Sequence, residues 1–325
     1  MDPMTEFLAG PQARQAFTLR VALDPPFAID VRDRAALTVI VPVRGTAWVT
    51  AGGETQAVNP GEAATVRGPD CYVVADSPDR APTVVIGPDQ SCQSPSGDRL
   101  EVTMRHGVRT WGDREDAETV MLIGTYQSDA AVGRLVTAVL PRLVAFTEDE
   151  ADPALLGMLH RELTLQGLGQ RTALDRVLDL LLLHLVRAWA ARPGTAVPGW
   201  VSGNRDPIVA EALSLLHREP SAPWTVAELG RRVHVSRAAL AARFRSTVGQ
   251  PPMTYLTAWR LALAADRLST SADTLAVIAA RVGYSNAFTF STAFTRAYGS
   301  SPSVYRASQR GGVQPGPHRP AGQVG

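Results

Sequence analysis

The sequence predicts an α+β chain: a barrel-like β part comes first, helices follow it, and an all-α domain closes the chain. Three observations carry that prediction. Short β-rich runs separated by turn residues recur from about Ala16 to Gly124. Apolar residues switch to helical spacing after Asp129. Between Pro223 and Arg306 two helix-turn-helix signatures stand in tandem, joined by one apolar-striped segment.

The β runs are Leu37–Val43, Thr46–Thr50, Glu54–Val58, Glu62–Val66, Cys71–Ala75 and Thr83–Ile86. Between them stand Gly52-Gly53, Asn59-Pro60-Gly61 and Arg67-Gly68-Pro69-Asp70, all turn-forming combinations. Short strands with turn signals roughly every 8–12 residues mark a sandwich or small barrel. Gln90–Gly97 reads as a loop.

The first helical segment is expected over Ala130–Phe146, with apolar residues at Val132, Leu135, Val136, Val139, Leu140 and Leu143. Asp152-Pro153 suits an N-cap followed by a first-turn proline, opening a helix to Gln166. Residues 172–191 form the most apolar helix, with a stripe at 174, 178, 181, 185 and 188. Leu180, Leu182 and Leu183 fall off that stripe, so several sides need cover, within the domain or in a homodimer. The segment 192–199 is a Pro/Gly linker, and 311–325 is a Gly/Pro-rich tail with no reason to fold. The expected organisation is a sensor-like β part at 1–127, a helical dimerisation region at 128–192, a linker at 193–204, a basic helical domain at 205–310 and the tail.

Composition is that of an ordinary globular chain, 45% apolar and 19% charged over 325 residues. No run of about 18 uncharged apolar residues exists, and the acidic start Met1-Asp2 lacks a basic leader, so a cytoplasmic protein without a membrane span is expected. The net charge of +1 conceals a polarity. Residues 1–204 carry 18 Arg against 25 acids, net −7, while 205–310 carry 13 Arg against 6 acids, net +7. A phosphate-binding domain joined to a non-binding one has this signature.

In the first motif Thr225 and Glu228 stand at capping-box spacing, with Leu229 and Val233 directed inward. Ser236 caps the second helix, whose inward residues are Leu240 and Phe244. Its other face offers Arg237, Ala238, Ala241, Ala242 and Arg245, with Arg243 beside them. In the second motif Ile278 and Val282 point inward, Gly283 makes the turn, and Phe290 and Phe294 anchor the reading helix. Ala287, Phe288, Ser291, Thr292, Thr295 and Arg296 face outward. The connecting helix, Pro252–Ser269, spans about 27 Å, near the ~34 Å repeat of the major groove on one DNA face. Double-stranded DNA is therefore the expected partner, with the twelve outward residues as its contacts.

Trp224–Arg306 closely resembles the DNA-binding domain of the AraC/XylS family of bacterial transcription regulators. The resemblance rests on Leu229-Gly-Arg-Arg-Val233, Ser236-Arg-Ala-Ala-Leu240, Trp259-Arg260-Leu261, Val282-Gly283-Tyr284, Ala293-Phe294, Ser301-Pro302 and Tyr305-Arg306. Residues 1–190 resemble, through weaker motifs, the cupin-type sensor of one AraC subgroup: Asp24-Pro-Pro, Arg67-Gly-Pro-Asp70, Arg109-Thr-Trp-Gly112 and Gly124-Thr-Tyr126. The resemblance implies a cupin-like barrel, RNA polymerase as a downstream partner, an unidentified small-molecule effector and a homodimer. Family members often carry Arg where Ala242 and Thr292 stand. Readout is then left to hydroxyls, to apolar contact with thymine methyls, and to Arg237 or Arg296.

A metal cupin needs several His and a carboxylate on neighbouring strands, yet Thr38–Ile86 contains no His, and His106 lies beyond it. No cofactor or metal site is expected, and a metal-dependent cupin enzyme fused to a DNA-binding domain is the weaker alternative. The two cysteines fall short of the clustered zinc site that a DNA-repair methyl acceptor needs. A DNA-bridging structural protein would lack operator specificity. For Cys71, in a strand, and Cys92, in a loop, two readings stand: a core residue with an incidental thiol, or a redox pair in which Cys92 is oxidised and Cys71 resolves it. Trp111, between Arg109 and Asp113, is either core packing or pocket wall.

Overall fold

The computed structural model describes residues 3–4, 17–100, 103–106, 110–126, 137, 140–165, 167–195, 200–201, 203 and 206–311. The chain forms two compact units, Met1–Ala210 with Ser246–Gly249, and Glu211–Arg245 with Gln250–Gly325.

In the first unit the strands are β1 (Phe17–Leu23), β2 (Ala28–Val31), β3 (Leu37–Arg44), β4 (Ala47–Ala51), β5 (Glu54–Val58), β6 (Ala63–Arg67) and β7 (Tyr72–Ala75). They continue as β8 (Val84–Ile86), β9 (Cys92–Gln93), β10 (Arg105–His106), β11 (Thr110–Gly112), β12 (Thr119–Tyr126) and β13 (Leu143–Phe146). One sheet has the order β10-β11-β1-β12-β3-β6-β13, the other β5-β4-β7-β2-β8-β9. Their inner faces share one core: Val21, Ile40, Val66 and Met121 from the first sheet meet Ile29, Val49, Val74 and Val84 from the second. Alternating β-branched residues on short strands suit such a two-layer barrel.

Two expectations for this unit are corrected. The helix read over Ala130–Phe146 gives way at its end to β13, which pairs antiparallel with β6 from Leu143↔Val66 to Phe146↔Ala63. Its apolar residues looked helical in one dimension, but the open edge of β6 supplies backbone partners that propensity alone cannot weigh. Residues 130–136, 138 and 139 lie outside the described residues. The expected loop Gln90–Gly97 contains β9, where Ile86 pairs with Cys92 and Val85 with Gln93.

Three helices follow the sheets: α1 (Glu148–Ala151), α2 (Pro153–Thr164) and α3 (Gln170–Ala191). The Asp152 carboxylate accepts from the Ala154 amide at 3.0 Å and so caps α2 as its sequence implied. At the end of α3, Arg192 binds both oxygens of Glu150 at 2.7 Å and donates to the Ala145 carbonyl at 2.5 Å. The α3 stripe is covered inside this chain: Leu174, Leu178, Leu181 and Leu185 are buried and Ala188 is half-buried, and Leu182 beside the stripe is buried as well. A homodimer contact centred on Leu178, Leu181 and Leu185 is thereby corrected, because α3 already packs against α2 and β1, and Leu178 against Gly124 of β12. A Cβ on Gly124 of β12 would lie 2.5 Å from Leu178, so helix and sheet meet there without a side chain between them. Leu180 instead is 49% exposed, and Met158, Leu165 and Leu168 are exposed with it.

The remaining helices are α4 (Pro207–Arg218), α5 (Val226–Arg232), α6 (Arg237–Val248), α7 (Pro252–Thr270), α8 (Leu275–Arg281), α9 (Ala287–Tyr298) and α10 (Pro302–Gly311). The break between the two units falls inside α4, downstream of the expected linker. In the second unit α7 is the central element, burying Tyr255, Leu256, Trp259 and Leu268. His217 of α4 hydrogen-bonds the Tyr255 hydroxyl at 2.6 Å and lies edge-on to Trp259. Phe290, Phe294, Tyr298 and Tyr305 form a contiguous aromatic set joining α9 to α10.

Candidate nucleic-acid interface

Each helix-turn-helix is fixed by caps and a turn of the same construction. The Thr225 hydroxyl accepts from the Glu228 amide at 3.1 Å and Thr274 from Val277 at 3.3 Å, starting α5 and α8. Glu228 turns its carboxylate to Arg231. The chain then turns through one residue at positive φ, His234 at 59° in the first motif and Gly283 at 84° in the second. A Cβ on Gly283 would come 2.8 Å from the Ser221 backbone, which makes glycine obligatory there. Ser236 caps α6 through the Ala239 amide at 3.2 Å, and Asn286 caps α9 through Thr289 at 2.8 Å.

Burial then sorts the two reading helices into inner and outer faces. Leu240 and Phe244 on α6, and Phe290 and Phe294 on α9, are fully buried. On the opposite side of α6, Arg237, Ala238, Ala242, Arg243 and Arg245 are exposed, and Ala241 is half-buried. On α9, Phe288, Thr292, Thr295 and Arg296 are exposed, while Ala287 and Ser291 are half-buried. All twelve expected contact residues thus lie off the buried faces. The linker helix α7, at 19 residues, spans about 28 Å.

Two arginines of this basic domain point into the protein. Arg260 donates to the Pro220 carbonyl at 2.6 Å and the Ala222 carbonyl at 2.7 Å, pinning the segment that leads into α5. Arg306 donates to the Asp273 carbonyl at 2.6 Å, just ahead of α8. Counting charge along the sequence cannot separate these half-buried clamps from surface cations.

The barrel encloses a second candidate site, which the sequence left almost unread. A cavity of about 340 Å³ opens between the sheets, walled by Val21, Ile29, Tyr72, Cys92, Trp111 and Ile123. Trp111 is therefore both wall and core neighbour, and Arg109 lies outside the described residues. Asp33, another wall residue, is only 7% exposed. Burial pushes its carboxyl up from the usual range, against the pull of the Ala35 amide that donates to it at 3.0 Å. Burial likewise raises the Tyr72 phenol, whose hydroxyl donates to Thr38. Neither residue has a periodic or motif signal; the sheets bring them together.

The cysteines are arranged opposite to expectation, with Cys71 exposed in the turn before β7 and Cys92 buried in β9. Tyr72 pairs with Val31, Val31 with Ile86 and Ile86 with Cys92. Three strand spacings separate the thiols, roughly 14 Å at ~4.8 Å each. A disulfide needs Cα atoms within about 7 Å, so Cys71 cannot resolve an oxidised Cys92 in this fold. Among the described residues no three His, Cys, Asp or Glu side chains converge in a metal-binding group, and His106 bonds the Gly112 carbonyl at 3.1 Å.

Comparison with known proteins matches both halves of the chain. A family model described as a cupin matches residues 2–191, and one described as a helix-turn-helix domain matches 229–308. A putative AraC-like transcription regulator of Streptomyces antibioticus is 32% identical over 311 residues, 94% of this chain and 98% of its own. A second one, from Streptomyces lividans, is 31% identical over the same shares. The crystal structure of the AdpA DNA-binding domain in complex with a target DNA is 32% identical, covering 33% of this chain and 95% of that one, with a TM-score of 0.32.

Proposed function

The chain belongs to the AraC-like family of DNA-binding transcription regulators, and on that premise we propose that it reads a two-part operator through the outer faces of α6 and α9. The observation that carries this reading is the paired burial pattern. Each reading helix anchors two apolar residues in the core; α6 turns alanines and arginines outward, and α9 turns Phe288, Thr292, Thr295 and Arg296 outward. Small side chains let the helix backbone sit close to base edges, and flanking Arg residues neutralise phosphates. The net charge of +7 on residues 205–310 supplies the field that draws DNA in.

The barrel cavity is the proposed effector site, and the chain acts as a regulator rather than an enzyme. Its wall is dominated by aliphatic and aromatic side chains, so the effector is a compact, largely apolar molecule. A polar group on it would meet Asp33 or Tyr72. The regulator is proposed to act as a homodimer contacting RNA polymerase, with exposed Leu180, Met158, Leu165 and Leu168 as the dimer surface. Two chains would then read four grooves and gain effective concentration on paired sites.

The test is binding of the full-length protein to its own upstream DNA across a salt series. A protected stretch spanning two successive major grooves, weakening steeply with salt, is expected. Protection without sequence preference would overturn the operator reading. Repeating the footprint with compact apolar compounds tests the effector site, and an unchanged footprint with a compound that calorimetry shows to be bound would remove it.

A further inference from the structure

The two reading helices expose different chemistry. On α6 the exposed side chains include guanidinium groups at the start (Arg237), in the middle (Arg243) and in the last turn (Arg245), with exposed alanines Ala238 and Ala242 between them. The corresponding stretch of α9 is Ala287-Phe-Thr-Phe-Ser-Thr292, without a charge, and its one arginine, Arg296, sits in the last turn.

Hydrogen bonding inside α9 sharpens the contrast. The Thr292 hydroxyl donates to the Phe288 carbonyl one turn back at 3.1 Å. A threonine hydroxyl has one proton, so Thr292 cannot also donate to a base. The Thr289 hydroxyl is held in the same way by the Asn286 side chain at 3.0 Å. Phe288, one turn before Thr292, is 83% exposed. The exposed side chains of the first two turns of α9 are therefore a ring and two threonines whose donors are already used, with Ser291 half-buried beside them.

In the major groove the only apolar group on a base edge is the 5-methyl of thymine, and Ala, the Thr methyl and Phe are the side chains that pack on it. Arginine instead suits the paired acceptors O6 and N7 of guanine. Building on the operator reading above, we propose that recognition is divided. α6 reads guanine edges and phosphates through Arg237 and its neighbours, and α9 reads thymine 5-methyl groups through Phe288 and Thr292. The operator then has one guanine-bearing part and one thymine-bearing part, about one helical turn apart.

Deoxyuridine tests this, because it differs from thymidine by that methyl alone. An operator is first enriched from random duplexes with the full-length protein, and the part whose preference changes in Arg237→Ala is assigned to α6. Replacing thymine by uracil in the other part is expected to cost about fourfold in affinity per contacted methyl, the burial of one carbon. The same replacement in the α6 part should change nothing. Thr292→Val, which keeps the methyl and loses the hydroxyl, should retain the discrimination, while Thr292→Ser and Phe288→Ala should each weaken it. All three sites are exposed, and circular dichroism verifies that the variants are folded. Equal affinity for uracil and thymine in the α9 part, or discrimination kept by Thr292→Ser and lost by Thr292→Val, would overturn the proposal. If no sequence is enriched at all, the operator reading fails and takes this inference with it.

Discussion

The Tyr126 hydroxyl donates to the Asp179 carboxylate across 3.3 Å, joining the last residue of β12 to the middle of α3. Both side chains are buried, and Arg176 reaches the other carboxylate oxygen at 3.1 Å. Burial outweighs these bonds and pushes the Asp179 pKa up to about 6. Unfolded, the same group titrates near its ordinary value of about 3.9. The folded state thus holds the extra proton between those two values. Stability from this group is full below about pH 4 and is lost as pH rises through 6. The span of roughly two units corresponds to about 3 kcal/mol as an upper figure. Asp179→Asn should abolish that slope, which urea melts of both proteins from pH 4.5 to 7.5 would reveal. Parallel curves for wild type and variant would refute the assignment.

Core and surface leucines of α3 should behave oppositely. Leu181 is fully buried, so Leu181→Ala is expected to cost about 2–5 kcal/mol in unfolding free energy. Leu180→Ala should stay within about 0.5 kcal/mol, since that side chain lies half in solvent. Sedimentation of Leu180→Glu together with Leu168→Glu then tests the proposed dimer surface without unfolding the monomer. An unshifted sedimentation coefficient would rule that surface out.

Thiol labelling should separate the two cysteines. Cys71 is exposed and expected to react with a maleimide in the folded protein, whereas Cys92 should react only on unfolding. Mass spectrometry after peroxide treatment should find no intrachain bridge between them. A bridged species in folded protein would mean that β2 and β8 separate from their neighbours.

Arg260 and Arg237 should fail differently. Arg260→Ala removes two hydrogen bonds to the backbone ahead of α5 and should lower stability by about 1–3 kcal/mol. Its DNA affinity should drop through loss of folded domain, with an unchanged salt slope. Arg237→Ala should leave thermal stability alone while lowering affinity and relaxing the base preference of the α6 part. Melting curves and salt titrations on the same two variants distinguish the roles.

The basic domain was legible because its signals are local. Thr225 and Ser236 act within a few residues of themselves, and Leu240, Phe244, Phe290 and Phe294 reveal their inner face by helical spacing alone. Strands β3 to β8 could be read for the same reason, from alternation and turn residues. What required the tertiary structure depends on partners far away in the chain. Leu143–Phe146 becomes a strand because the β6 edge is open to it, and Cys92 is buried because β8 pairs with its segment. Asp33, Tyr72 and Trp111 become neighbours of one cavity only when two sheets close over it. The α3 stripe announced that it would be buried, but only packing against Gly124 decided that its own barrel, and not a second chain, covers Leu178. Periodicity reports which side of an element avoids water; it carries no information about which surface, tens of residues away, excludes that water.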